Sequence, residues 1–301
     1  IAAAKDHLIR FLRELSPLID AAIPSGAYNS YQQLVHGGRD GQLPFRERGP
    51  TRARTTSDDG PYTLERVQTL AGAYSVLVCR VITFNSTMGR THSGLFSDNE
   101  AFNAWRKAGP ADDSLYCNGS AYGRTRGRSW RHHEDCWKEA QKLADFIQHG
   151  RPGTSKPYSF YQLTKFIDKL KIPSCGPLIS FLLAGDLYYC GAAPAPTFKE
   201  ISQLSHAGAV RGLGKLGLPH TSDPEAASSM SQLFDAISAE LSDKEKSEWG
   251  WDALMLEHAL CKYSKCLKKF NRSGWCACPT CKQRDCLCTR CKTRKKRRAV
   301  E

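Results

Sequence analysis

Six cysteines near the C-terminus carry the plainest chemistry in the chain: Cys276, Cys278, Cys281, Cys286, Cys288 and Cys291. They form the unit Cys-x-Cys-x-x-Cys twice, with four residues between the copies. An all-thiolate set at such spacing suits structural zinc. Six thiolates cannot fill two separate four-coordinate sites without sharing. Either two of them bridge a binuclear cluster, or Cys261 and Cys266 complete two four-thiolate sites. The bridged arrangement is preferred, because Cys261 and Cys266 fall on a predicted helix. A disulfide scaffold is disfavoured: cysteines in a Cys-x-Cys are poorly placed to pair with each other. The other five (Cys79, Cys117, Cys136, Cys175 and Cys190) are scattered, as in a reduced intracellular protein.

The basic run Arg294, Lys295, Lys296, Arg297 and Arg298 lies directly behind the last cysteine. Residues 261–301 hold 14 Lys/Arg and 2 Asp/Glu, so nearly all of the net charge of +13 sits in the tail. A concentrated polycation suits a phosphate polymer, because each neutralised phosphate releases counterions. The same run satisfies a nuclear-import signal. The expectation is a nuclear protein whose partner is DNA. No window holds 18 consecutive apolar residues, so no membrane span is expected.

Within the nearly neutral body a few charges stand out. Arg80 sits inside the apolar run Val76–Phe84, where it needs either a partner or a route for its head to reach water. Asp186 follows the apolar stretch Leu178–Leu183; burial would raise its pKa and a nearby arginine would lower it. Glu257 and His258 flank an apolar stripe, the first suited to a salt bridge and the second to the core. An Arg-rich loop after Tyr122, with Arg124, Arg126, Arg128 and Arg131, could track a nucleic-acid backbone or be a solvated loop. Gly208–Gly217 invites comparison with a phosphate-binding loop. It is not a Walker A motif, since Leu216 follows Lys215 where Ser or Thr must bind magnesium.

The elements that must position these groups are helices. Apolar spacings of three and four predict helices over 3–22, 98–108, 134–150, 158–171, 224–241 and 252–269. A short helix is expected over 28–35 and another over 198–206. Residues 36–61, rich in Gly, Arg, Asp and Pro, read as a mobile loop or linker. The apolar segment 62–88 is helix by length and strand by β-branched content. Helix, turn and apolar helix around Ser174 and Gly176 outline a helix-hairpin-helix, whose second helix can offer backbone N–H groups to a DNA phosphate. The fold class is all-α.

Several short motifs then fall in one order: Arg80 through Asn85, Trp105 before Gly109-Pro110, Ala121-Tyr122, Gly176-Pro177 through Asp186-Leu187, Gly208 through Leu213, and Glu257 through Tyr263. In order and spacing the chain resembles the alpha-glutamyl/putrescinyl thymine pyrophosphorylase family, over roughly residues 62–268. That family includes the helical domain attached to 5-hydroxymethyluracil DNA kinases and is related in fold to helix-hairpin-helix DNA glycosylases. The resemblance implies a DNA-glycosylase-like helical domain over 61–270. An N-terminal helix and loop over 1–60 precede it, and a Cys-rich zinc module with its basic tail over 271–301 follows.

By position, the resemblance marks Arg80, Asn85, Tyr122, Asp186, Arg211 and Glu257 as candidate site residues. The implied activity is group transfer to the hydroxymethyl group of a 5-hydroxymethylpyrimidine in DNA, with a nucleotide, an amine or an amino acid as donor. A catalytically silent chromatin binder and a glycosylase excising a modified pyrimidine are the alternatives. This chain departs from its relatives at Lys262, where they carry an acidic residue.

Overall fold

The structure, a computed structural model, describes residues 1–19, 30–36, 39–117, 129–150, 157–205 and 207–272. Fifteen α-helices and no strand occur among them. In order they are α1 (Ala2–Leu15), α2 (Ser30–His36), α3 (Arg39–Gln42), α4 (Pro50–Thr55), α5 (Leu64–Val67), α6 (Leu70–Val78), α7 (Asn99–Ala108) and α8 (His133–His149). There follow α9 (Phe160–Lys169), α10 (Pro177–Tyr189), α11 (Phe198–Leu204), α12 (Ala207–Lys215), α13 (Asp223–Ser238), α14 (Asp243–Trp249) and α15 (Ala253–Arg272). None is long and apolar enough to cross a membrane.

Local chemistry sets many of the starts. The side chains of Thr63, Thr69, Asp98 and Ser222 each accept an N–H of the helix they precede. Ser159, Thr197 and Ser242 complete capping boxes with Gln162, Glu200 and Glu245. Pro177 opens α10 at a position where its missing N–H costs nothing.

The core gathers around α10. Every residue from Ile179 to Leu187 is buried, as expected for a helix that is apolar on all sides. Helix α9 packs along it, with Phe160 edge-on to Phe181. A turn through residues 170–176 joins α9 to α10. Lys171 and Ser174 take left-handed backbone conformations in that turn. Ser174 is half-buried, and Gly176 is exposed with open space where a Cβ would stand.

Two expectations are corrected by the fold. Residues 36–61 are not simply a loop: α3, α4 and a turn of 3-10 helix over Arg46–Arg48 lie there, with Asp40, Phe45, Arg46 and Arg52 buried. Their burial depends on charges far away in sequence, which apolar periodicity does not register. Nor does Gly208–Gly217 cradle a ligand. Most of it is α12, packed on α15, and a Cβ at Gly212 would come within 2.4 Å of the Leu260 carbonyl oxygen. These glycines let two helices approach closely.

The ambiguous segment 62–88 is helical. Helix α6 runs into one wider π-helical turn, Cys79–Thr83, which carries Arg80. Helix α1 packs on α13 and α15, with Phe11 edge-on to Tyr263 at 5.3 Å. The sequence boundary at residue 60 therefore does not coincide with a gap in the packing.

Candidate functional site

Asp186 is fully buried on α10, one turn before its end. Three arginines from three different elements converge on it. Arg80 of the π-helical turn donates from Nε to Oδ2 at 2.5 Å and also pairs through Nη2. Arg46 donates from Nη2 to Oδ1 at 2.9 Å and to the Leu182 carbonyl at 2.6 Å. Arg52 of α4 brings Nη1 to 3.6 Å from Oδ1. The Tyr62 hydroxyl donates to Oδ2 at 3.4 Å.

The arginines are held in turn. Arg52 makes hydrogen bonds of 2.5 to 3.2 Å with Glu47 and lies over the Tyr62 ring at 4.4 Å. Arg80 lies over the Phe84 ring at 4.0 Å. Gly185 makes room for Arg46, since a Cβ there would stand 2.6 Å from its Nη2.

Burial by itself would raise the Asp186 pKa. The charges of Arg52, Arg80 and Arg46 outweigh it and hold the carboxyl below its usual range. Burial, with the Asp186 charge added, pushes the Tyr62 hydroxyl well up, so it stays protonated and donates. Burial also raises the Cys79 thiol, to about 12, which leaves it inert.

Over this cluster lies a pocket walled by Asp40, Arg46, Arg52, Arg80, Phe84 and His258, among others. It encloses about 320 Å³ out to open solvent, but the space that the centre of a water molecule can occupy is only about 10 Å³, room for about one water. Two guanidinium groups in its wall are incompletely satisfied. Arg46 Nε and Arg52 Nη1 are buried and have no hydrogen-bond acceptor among the described residues. Their nearest carboxylate oxygens, on Glu47 and Asp186, stand at 3.6 Å, too far for a hydrogen bond.

A second group of ionisable residues lies on α15. Glu257 is buried, receives no hydrogen bond from the described residues, and has its pKa raised by burial against the opposing charges of Arg46, Lys262 and Lys265. His258 Nε2 lies 3.2 Å from the Leu43 carbonyl, so that nitrogen carries the proton. Burial, with Lys262 and Arg46 nearby, lowers the His258 pKa well below its usual value, so the ring is neutral. Lys262 is buried and donates to the Gly41 carbonyl at 3.1 Å. Burial, assisted by Lys265, lowers its pKa to about 8.

Of the residues expected from the sequence, Arg80 and Asp186 meet directly, and Glu257 lies within electrostatic reach of Arg46. Asn85 joins the periphery. Its Oδ1 accepts from Arg90, which also pairs with Asp40 of the pocket wall. Asn85 itself has a left-handed backbone, with its N–H on Thr51 Oγ1. Arg211 does not join: it is exposed on α12.

Ser174 and Gly176 stand on the turn between α9 and α10. Tyr122, the six cysteines from Cys276 to Cys291 and Arg294 to Arg298 lie outside the described residues. Among the described residues no group of three or more metal-ligating side chains occurs, and His133 near Cys136 instead binds Asn99 and stacks on Trp130.

Sequence reasoning missed Arg46, Glu47, Arg52 and Tyr62, which hold half of the cluster. The available signal was weak: two arginines beside Phe45 in an otherwise polar stretch. Comparison with protein-family models, with curated proteins and with solved structures finds no match for this chain.

Proposed function

We propose that this chain is a DNA-binding enzyme that modifies a base. The reaction is group transfer at the hydroxymethyl group of a 5-hydroxymethylpyrimidine, with a nucleotide, an amine or an amino acid supplying the group. On this reading the body is a helix-hairpin-helix domain of DNA-glycosylase type, belonging with the pyrophosphorylase family it resembles. The cysteines from Cys276 to Cys291 hold structural zinc, and the basic tail delivers the protein to nuclear DNA.

One observation carries the reading. Arg80 and Asp186, marked 106 residues apart by separate motifs, meet beneath one pocket that His258 of a third motif also lines. Charged groups are costly to bury, and so many in one place make a structural role alone an expensive arrangement. Asp186 is then a positioning residue that aims Arg80 and Arg46. The chemistry falls to groups at the pocket wall, with neutral His258 available to take a proton through Nδ1.

A second reading has its own support. Asp186 is wholly engaged, and the pocket as it stands has room for about one water, far too little for an extruded base. Both facts suit a silent scaffold that only binds DNA. Mass spectrometry of nucleosides separates the readings. The protein is incubated with 5-hydroxymethylpyrimidine DNA and with nucleotide, amine or amino-acid donors. A new nucleoside is expected. Abasic sites would mean excision instead, and tight binding with neither product would leave the scaffold.

A further inference from the structure

Two donors of the arginine cluster lack an acceptor among the described residues. Asp186 and Glu47 pair with Arg46, Arg52 and Arg80, yet Arg46 Nε and Arg52 Nη1 are left over inside the wall of the pocket. Buried donors without acceptors are rare and costly, and a guanidinium cannot shed its proton to escape the cost. The remaining carboxylate of the wall, Asp40, does not make up the deficit. Its oxygens accept from the Thr51 N–H and hydroxyl, and Arg90 pairs with it. His258 adds no negative charge.

We propose that Arg46, Arg52 and Arg80 form a subsite for a phosphate-class oxyanion at the mouth of this pocket. Three forks arriving from three elements suit a tetrahedral group with several terminal oxygens better than a planar carboxylate with two. The floor is built in advance, because Asp186, Glu47, Tyr62 and the Phe84 ring fix the guanidinium planes. Little ordering therefore remains to oppose binding. The inference rests on the group-transfer reading only for its purpose: the anion would be the phosphate or diphosphate of a donor or an activated hydroxymethyl group.

The test uses the full chain, titrated with inorganic phosphate, with diphosphate and with a short DNA duplex at constant ionic strength, followed by calorimetry. Saturable binding of diphosphate at one site is expected, with affinity reduced about tenfold or more in Arg52→Lys. Arg211→Ala, which alters an exposed arginine outside the pocket, should bind diphosphate as wild type does. In the wild-type protein the Nε–Hε NMR signals of the buried arginines should shift along the same binding curve, which keeps the test open if Arg52→Lys does not fold.

No saturable binding by the folded wild-type chain overturns the subsite. So does an equal loss in Arg211→Ala, and so does binding of the duplex alone, which would place the anion contacts on the DNA-binding surface. Diphosphate binding without any new nucleoside keeps the subsite and removes the enzyme reading. A new nucleoside without diphosphate binding does the reverse.

Discussion

Asp186 and Glu257 are both buried carboxylates, and both feel the charge of Arg46, yet their protons behave in opposite ways. Burial penalises each anion. Asp186 overcomes the penalty because three guanidinium groups surround it, and two of them donate hydrogen bonds to it. Among the described residues Glu257 has only charges acting at a distance and no donor, so its pKa goes up. Donors at contact distance, not depth, decide which carboxylate is a fixed anion and which can hold a proton. The fixed one is an anchor. The other is the better placed to exchange protons.

The sharpest way to break this contrast is Asp186→Asn. It leaves Glu47, in contact with Arg52, as the remaining carboxylate of the arginine cluster among the described residues, and the loss should be about 3–5 kcal/mol. The pH dependence has a definite sign. The folded pKa lies below the unfolded one, so this stabilisation is present above about pH 4. It disappears as pH falls through the folded value. Urea titrations from pH 3 to 7 should therefore show a steeper acid-side fall in the wild type than in Asp186→Asn. Equal midpoints for the two proteins at pH 7 would mean that the arginines are solvated and the anchor is not one.

Gly185→Ala perturbs the residue that the two carboxylates share. The new methyl would meet Arg46 Nη2 at 2.6 Å and displace a guanidinium that Asp186 holds directly and Glu257 feels electrostatically. A cost of about 1–3 kcal/mol is expected. Gly212→Ala should cost a similar amount for another reason: the obstacle is the Leu260 carbonyl, and the two helices must part. Only the first should alter anion binding or the acid-side titration, so the pair distinguishes damage to the cluster from damage to the packing.

Much of the frame was legible from residue spacing. Helices α8, α9 and α13 announce themselves through apolar periodicity, α10 through a continuous apolar run behind Gly176-Pro177, and Arg80 in an apolar run already needed a partner or a route to water. What the spacing could not supply was the other half of the cluster. Arg46 and Arg52 lie in short helical turns whose burial is fixed by an aspartate more than 130 residues away. A local pattern contains no such term. The glycines of α12 misled for a related reason. Their purpose lies in α15, and a glycine run gives the same local signal whether it cradles a ligand or a helix. Spacing makes Glu257 a salt-bridge partner and His258 a core residue, because a desolvated carboxyl next to a neutral imidazole becomes visible only once Leu43 and Arg46 are seen beside them.

Lys262 extends the comparison to a cation. Among the described residues it has one hydrogen bond and no counter-ion in contact, and its pKa falls to about 8. The unfolded chain therefore binds the extra proton between about pH 8 and 10.5, and the Lys262 contribution to stability rises with pH across that window, against the fall that the raised thiols and phenols produce. Below pH 8 the penalty is present in full. Lys262→Met should stabilise the protein by about 2 kcal/mol at pH 7, and that advantage should shrink between about pH 8 and 10.5. A destabilised variant would show that the bond to Gly41 outweighs the cost of burying the charge.

The smallest effect belongs to Glu257→Gln. A carboxyl whose folded pKa is raised contributes stability that is complete at low pH and is lost as pH climbs from the unfolded value through the folded one. The amide cannot ionise, so the variant should keep what the wild type loses and be more stable at pH 7, by about 1 kcal/mol. Asp186→Asn and Glu257→Gln remove the same charge from the same core, and their stabilities at pH 7 should move in opposite directions. Chemical denaturation at pH 4 and pH 7 measures both. If Glu257→Gln were destabilised as Asp186→Asn is, Glu257 would have a donor of its own, and the proton-exchanging role would pass to His258 alone.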